Sequence, residues 1–146
     1  MTRPRYAALA GVALAVVAVD QLTKTWAERA LADGPIHVVW TISLNLTYNS
    51  GAAFSSARGY TPIITALAVG VLIALVGLSR SATTKPGLVA LGLVIGGASG
   101  NLVDRLVRGN GGAVIDFIDF RWWPVWNVAD AAVVIGAALL ILTRKR

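Results

Sequence analysis

Two aspartates, Asp116 and Asp130, stand where carboxylates are costly. Asp130 lies in Trp126-Asn127-Val128-Ala129-Asp130, and no charge follows it until Arg144. Asp116 lies in the equally apolar Val114-Ile115-Asp116-Phe117. A carboxylate at the edge of a hydrocarbon layer is disfavoured by roughly 2.5–3.5 kcal/mol on insertion scales. A chain with only seven acidic residues has little structural reason to spend two of them there. Held close together, two carboxyl groups cannot both ionise easily, so the pair shares a proton. The ionised member can then activate a water while the protonated member donates to an amide. That is hydrolysis by general acid and base, with neither metal nor cofactor.

The remaining composition narrows the chemistry in the same direction. There are no cysteines, which removes disulfides, thiolate metal sites and a cysteine nucleophile. The single histidine, His37, leaves no partner set for a histidine metal site or a Ser-His-Asp triad. Hydrolysis would therefore run on carboxylates, hydroxyls or lysines.

The elements that must position the pair are apolar. Of 146 residues, 56% are hydrophobic and 14% charged, and mean hydropathy is +0.70. Soluble domains carry about 25% charged residues, so this composition is that of a membrane protein. Four apolar runs are each close to the ~20 residues that cross a bilayer. They predict helices over about 6–25, 59–79, 86–106 and 123–143, in one domain spanning 1–146. The first run reads as a retained helix rather than a cleaved leader, because Asp20 and Lys24 stand where a small-residue cleavage site would fall.

Charge sets the expected orientation. Arg3, Arg5, Arg80, Lys85, Arg144, Lys145 and Arg146 share one side with no acid among them, which predicts cytoplasmic termini. All seven acids and all five tryptophans map to the opposite side. The net charge of +6 is distributed as membrane topology requires and leaves no basic face for nucleic acid. The long outer loop, about 27–58, holds a β-branched and aromatic stretch from His37 to Tyr48 that predicts one or two strands. It is expected to act as a lid, a substrate platform or a plain connector. Gly92, Gly96 and Gly100 fall on one helix face and predict a close helix–helix approach.

The outer edge gathers Asp20, Asn49, Asn101, Asp104, Arg105, Asp116, Asn127 and Asp130. Several have purely structural uses open to them. Asp20 and Lys24 are four apart and can pair. Asp130 can favour a helix dipole from the first turn, with Asn127 as the cap. Asp104 can pair with Arg105, and Asp119 with Arg121.

These blocks, taken in order, resemble the bacterial lipoprotein signal peptidases, the signal peptidase II family. The matching segments are Asp20-Gln21-Leu22-Thr23-Lys24, Asn49-Ser50-Gly51-Ala52-Ala53-Phe54, 96–105, Val114-Ile115-Asp116-Phe117 and Trp126-Asn127-Val128-Ala129-Asp130. Ser50 stands where threonine is common and Trp126 where phenylalanine is common. The resemblance implies an all-α membrane protein: four transmembrane helices with a small β-containing extracytoplasmic loop between the first and second. It implies an aspartic endopeptidase of the bacterial inner membrane, acting at the extracytoplasmic interface among membrane lipids; a monomer is expected separately, since the chemistry needs nothing from a second chain. It would remove the signal peptide from prolipoproteins carrying a diacylglyceryl group, cutting just before the modified cysteine. The family's catalytic pair falls on Asp116 and Asp130, and its supporting residues on Asp20, Asn49, Asn101, Arg105 and Asn127. Two rivals are a four-helix proton-coupled transporter and a non-enzymatic membrane assembly factor. The first needs an acid at mid-membrane, whereas these acids crowd one end.

Overall fold

A computed structural model describes residues 3–51, 60–82 and 84–143. Ala52, Ala53 and Phe54 of the second matching segment, and the basic residues 144–146, lie outside the described residues. The elements follow in the order α1 (Arg3–Ala30), β1 (Ile36–Val39), β2 (Ile42–Asn49), α2 (Thr61–Leu78), α3 (Lys85–Val107), β3 (Val114–Asp119) and α4 (Val128–Thr143). A single 3-10 turn, Ser79–Ser81, closes α2.

Local chemistry explains the helix starts. Both α2 and α3 carry a proline in the first turn, where the missing N–H costs nothing. Thr84 caps α3 by accepting from the Gly87 N–H at 3.2 Å. Helix α4 begins at Val128, not at 123 as the apolar run predicts. Pro124 disfavours helix at the residue before it, and Asn127 supplies a cap just upstream of Val128. Residues 120–127 are instead irregular, with Trp126 bridging to Ile118.

Three helices, α1, α2 and α3, are long and apolar enough to cross a membrane, while α4 is apolar but shorter at 16 residues. Helix α3 occupies the middle: 56% of its apolar window is enclosed by protein, against 11% for α1 and 6% for α2. The glycine face does what its spacing predicts. A Cβ on Gly92 would sit 2.9 Å from the Leu9 carbonyl oxygen, and one on Gly96 2.8 Å from that of Ala13, so α1 lies against α3 nearly backbone to backbone. Gly97 makes the same approach to α4, facing the Ala129 carbonyl.

The β structure is larger than the outer loop alone. Strands β1 and β2 form the expected hairpin between α1 and α2, with Trp40 at its tip, 92% exposed and at φ 56°. A third strand, β3, comes from the connection between α3 and α4 and pairs antiparallel with β2, giving the order β1-β2-β3. Asn49 lies opposite Val114 and Thr47 opposite Asp116. The inner face of this sheet packs Ile115 and Phe117 against Ala27 and Leu31 at the end of α1 and the segment just after it. Asp116 is therefore a strand residue, held at a fixed register.

Candidate active site

The site forms where β3, the end of α3 and the start of α4 converge on α1. Asp116 is almost wholly enclosed, with 2% of its surface exposed. One carboxylate oxygen accepts from Asn127 Nδ2 at 2.7 Å and the other from Asn49 Nδ2 at 3.1 Å. Asn49 is itself aimed by the turn that follows it, since its Oδ1 accepts from the Gly51 N–H at 2.9 Å. Burial pushes the Asp116 carboxyl up to about 6 from 3.8. The nearby charge of Asp130 acts in the same direction, while the two amide donors and the Lys24 ammonium oppose it.

Asp130 lies in the first turn of α4 and is half-buried. It exchanges hydrogen bonds with Asn127: the Asp130 N–H donates to Asn127 Oδ1 at 2.9 Å, and the Asn127 N–H donates to Asp130 Oδ2 at 3.2 Å. This is a capping box with an asparagine and an aspartate in its two places. Asp130 Oδ1 accepts from Asn101 Nδ2 at 2.9 Å. Asn101 Oδ1 in turn accepts from Asn127 Nδ2 at 3.0 Å. Asp116, Asn127, Asn101 and Asp130 thus form one hydrogen-bonded chain, with the carboxylates at its ends.

Asp20 supports this chain from α1. Its Oδ1 accepts from the Ala129 N–H at 2.9 Å, so it satisfies one of the free donors that open α4. Its other oxygen pairs with Lys24 at 2.8 Å, as the four-residue spacing predicts. Gly100 is needed opposite, because a Cβ there would lie 2.6 Å from Asp20 Oδ2.

Asp104 and Arg105 part company. Asp104 pairs with Lys24 at 2.8 Å, lies 3.4 Å from Arg108 Nε and accepts from the Ile115 N–H at 2.9 Å, which ties β3 to α3. Arg105 donates to the Gly112 carbonyl at 2.8 Å and lies within electrostatic reach of Asp116. It holds the turn before β3, where Gly109, Gly111 and Gly112 all take positive φ. Asp119 accepts from the backbone N–H of Arg121 at 2.7 Å, so the expected proximity is met by main chain rather than guanidinium. Lys24, Gln21 and Arg108 were not singled out as site residues by the sequence. Their roles depend on contacts from about 77 to 87 positions apart, which no local spacing reveals.

Beside Asp130 lies an open groove of about 480 Å³, walled by Phe120, Trp122, Trp123, Trp126, Val134 and Ile135. The aromatic rings pack on one another, with Phe120 and Trp122 stacked at 5.9 Å and Phe120 and Trp126 tilted at 5.5 Å. A carboxylate thus faces an apolar trough on one side and an amide network on the other. No group of three or more metal-ligating side chains is present among the described residues.

The chain is similar to known proteins along most of its length. The family model described as Signal peptidase (SPase) II matches residues 12–145. The lipoprotein signal peptidase of Mycobacterium avium (strain 104) is 45% identical over 139 residues, covering 92% of this chain and 76% of that protein. The lipoprotein signal peptidase of Rhodococcus jostii (strain RHA1) is 45% identical over 147 residues, covering 97% and 74%. A bacterial membrane enzyme solved by the in meso method at 2.3 Å resolution superposes with a TM-score of 0.75 at 30% identity, over 90% of this chain and 84% of that one. With the family model spanning nearly the whole sequence and relatives of this similarity, the chain belongs to the signal peptidase II family.

Proposed function

We propose that this chain is an aspartic endopeptidase of the bacterial inner membrane that removes signal peptides from lipid-modified prolipoproteins. The cut falls just before the cysteine that carries the diacylglyceryl group. Asp116 and Asp130 do the chemistry. The observation that carries this reading is the chain Asp116–Asn127–Asn101–Asp130, which holds two carboxyl groups at one buried edge and gives each an amide donor.

The environments divide the labour. Asp116, enclosed and raised to about 6, is the member that holds the proton. Asp130 receives two N–H donors at the opening of α4, where the helix dipole favours negative charge. A water between them attacks the scissile carbonyl carbon as Asp130 takes its proton, and Asp116 donates to the carbonyl oxygen. The tetrahedral intermediate collapses when Asp130 passes its proton to the leaving amine. Asp116 recovers a proton from the hydroxyl, which regenerates the carbonyl and frees the new carboxyl end.

Asn101, Asn127 and Asp20 orient the pair, Asn49 holds Asp116 from the sheet, and Arg105 fixes the turn before β3. The aromatic groove takes hydrocarbon from the substrate lipid or its signal helix. Four spans are proposed, with α4 as the fourth, both termini cytoplasmic and the site at the outer interface; the one-sided placement of the acids supports this. The enzyme is a monomer, since every group used comes from one chain. The transporter reading is disfavoured because the two aspartates of the pair sit in the first turn of α4 and in β3. The test is cleavage of a diacylated precursor beside its unlipidated form by Asp116→Asn and Asp130→Asn proteins in detergent. Loss of more than about 10³-fold in kcat by each is expected for a residue acting in acid–base transfer. Near-normal cleavage by either variant refutes the pair.

A further inference from the structure

Lys24 has no part in that chemistry, yet it is the bulkiest side chain enclosed without any exposed surface among the described residues. Its ammonium carries three donors and no acceptor. Three partners meet them: Asp20 Oδ2 at 2.8 Å, Asp104 Oδ2 at 2.8 Å and Asn101 Oδ1 at 3.0 Å. The two carboxylates suffice to balance the charge. The third bond goes to a neutral amide, and that amide belongs to the chain linking Asp116 to Asp130.

An asparagine amide has one accepting end and one donating end, and its partners decide which way it faces. The ammonium can only donate, so it holds the oxygen end of Asn101. Asn127 Nδ2 donates to the same oxygen at 3.0 Å. The NH₂ end is left to face Asp130 Oδ1 at 2.9 Å. Turned over, Asn101 would set its NH₂ against the ammonium and its oxygen against the Asp130 carboxylate, two repulsive contacts at once. We infer that Lys24 is a positioning residue: through Asn101 it fixes the direction of the hydrogen-bond chain, so that an amide donor meets each aspartate. The inference rests on the proposed role of Asp116 and Asp130.

The charged groups around Lys24 come from every element packed on it. Asp20 faces it from α1, Asp104 from α3 with Arg108 beyond, Asp116 from β3, and Asp130 from α4 through Asn101. The Lys24 charge also lowers the proton affinity of Asp116, so its removal must act on the pH profile as well as on rate.

The experiment is a cycle of Lys24→Met, Asn101→Ala and the double variant, purified in detergent and assayed on a diacylated precursor across pH. Lys24→Met lowers kcat by about 10²-fold, the size of a small misplacement of reacting groups, and leaves KM within about twofold. The alkaline limb of its profile moves to higher pH. In the Asn101→Ala background the same substitution costs less than about threefold more, because the route through Asn101 is already gone. A full penalty in that background, or an unmoved limb, overturns the inference. Should Lys24→Met not fold, Lys24→Met with Asp104→Asn removes the cation with one of its two anions, and is read the same way against Asp104→Asn alone. If Asp116→Asn and Asp130→Asn are inactive while Lys24→Met matches the parent, the positioning role fails and the aspartate pair stands. If either aspartate variant still cleaves, the pair itself fails.

Discussion

Asn49→Ala offers the sharpest measurement of how the sheet tunes the site. Asn49 Nδ2 donates to Asp116 Oδ2 at 3.1 Å, and this donor pulls the carboxyl down against the effect of burial. A hydrogen bond to a charged group contributes about 1.5–3 kcal/mol. Asn49 is half-buried, so water can take up part of the loss and the lower end applies. At about 1.4 kcal/mol per unit, the Asp116 carboxyl should rise by roughly one pH unit from its value near 6. At pH 7 its protonated share then climbs from roughly one molecule in ten to about half. The alkaline limb of kcat/KM reports the free enzyme, so it is the quantity to follow, on a diacylated precursor between pH 5 and 9. It should lie near 6 in the parent and about one unit higher in Asn49→Ala. Asn45→Ala, on the same strand, should leave it in place. A limb that stays still or moves to lower pH in Asn49→Ala would refute the assignment of Asp116 as the proton-holding member.

Asn127→Ala removes the cap of α4 and the closest donor to Asp116 together, and should cost about 2–4 kcal/mol, read as a fall in Tm in detergent larger than that of Asn49→Ala. Gly97→Ala drives a Cβ into the Ala129 carbonyl and to within 2.7 Å of Val133 Cγ2, so it should lose about 1–3 kcal/mol and most cleavage. Gly70→Ala, with nothing within 4 Å, should leave Tm unchanged or raise it slightly. Asp116 has a raised carboxyl in the folded chain, so its contribution to stability is full below about 3.8 and is lost as pH rises through about 6, by about 3 kcal/mol at most. Thermal melts of Asp116→Asn across pH 4 to 8 should lack that part of the parent's decline.

Much of this arrangement is legible in short-range spacing, and the rest fails where contact is long-range. The four-residue step from Asp20 to Lys24 and the three-residue step from Asn127 to Asp130 each found their partner. The four-residue glycine pattern marked the face of α3 that meets α1. Lys24 also meets Asp104, and Arg108 meets Gln21, across stretches that no periodicity spans. Strand β3 was missed because six residues with two acids do not alternate cleanly, although the glycine-rich turn before them and their β-branched and aromatic content were a usable signal. The start of α4 was set too early because two tryptophans extend the apolar run, while Pro124 and Asn127 argue for a later one.

The bond from Asp20 to the Ala129 N–H joins positions 109 residues apart and has a consequence for biosynthesis. Asp20 leaves the ribosome well before the peptide group it caps. Until α4 docks, Asp130 has no fixed place and Asp116 lacks the Asn127 donor. On the proposed reading, a chain cut short before α4 has no assembled pair. Docking of α4 is therefore the step that assembles the proposed pair.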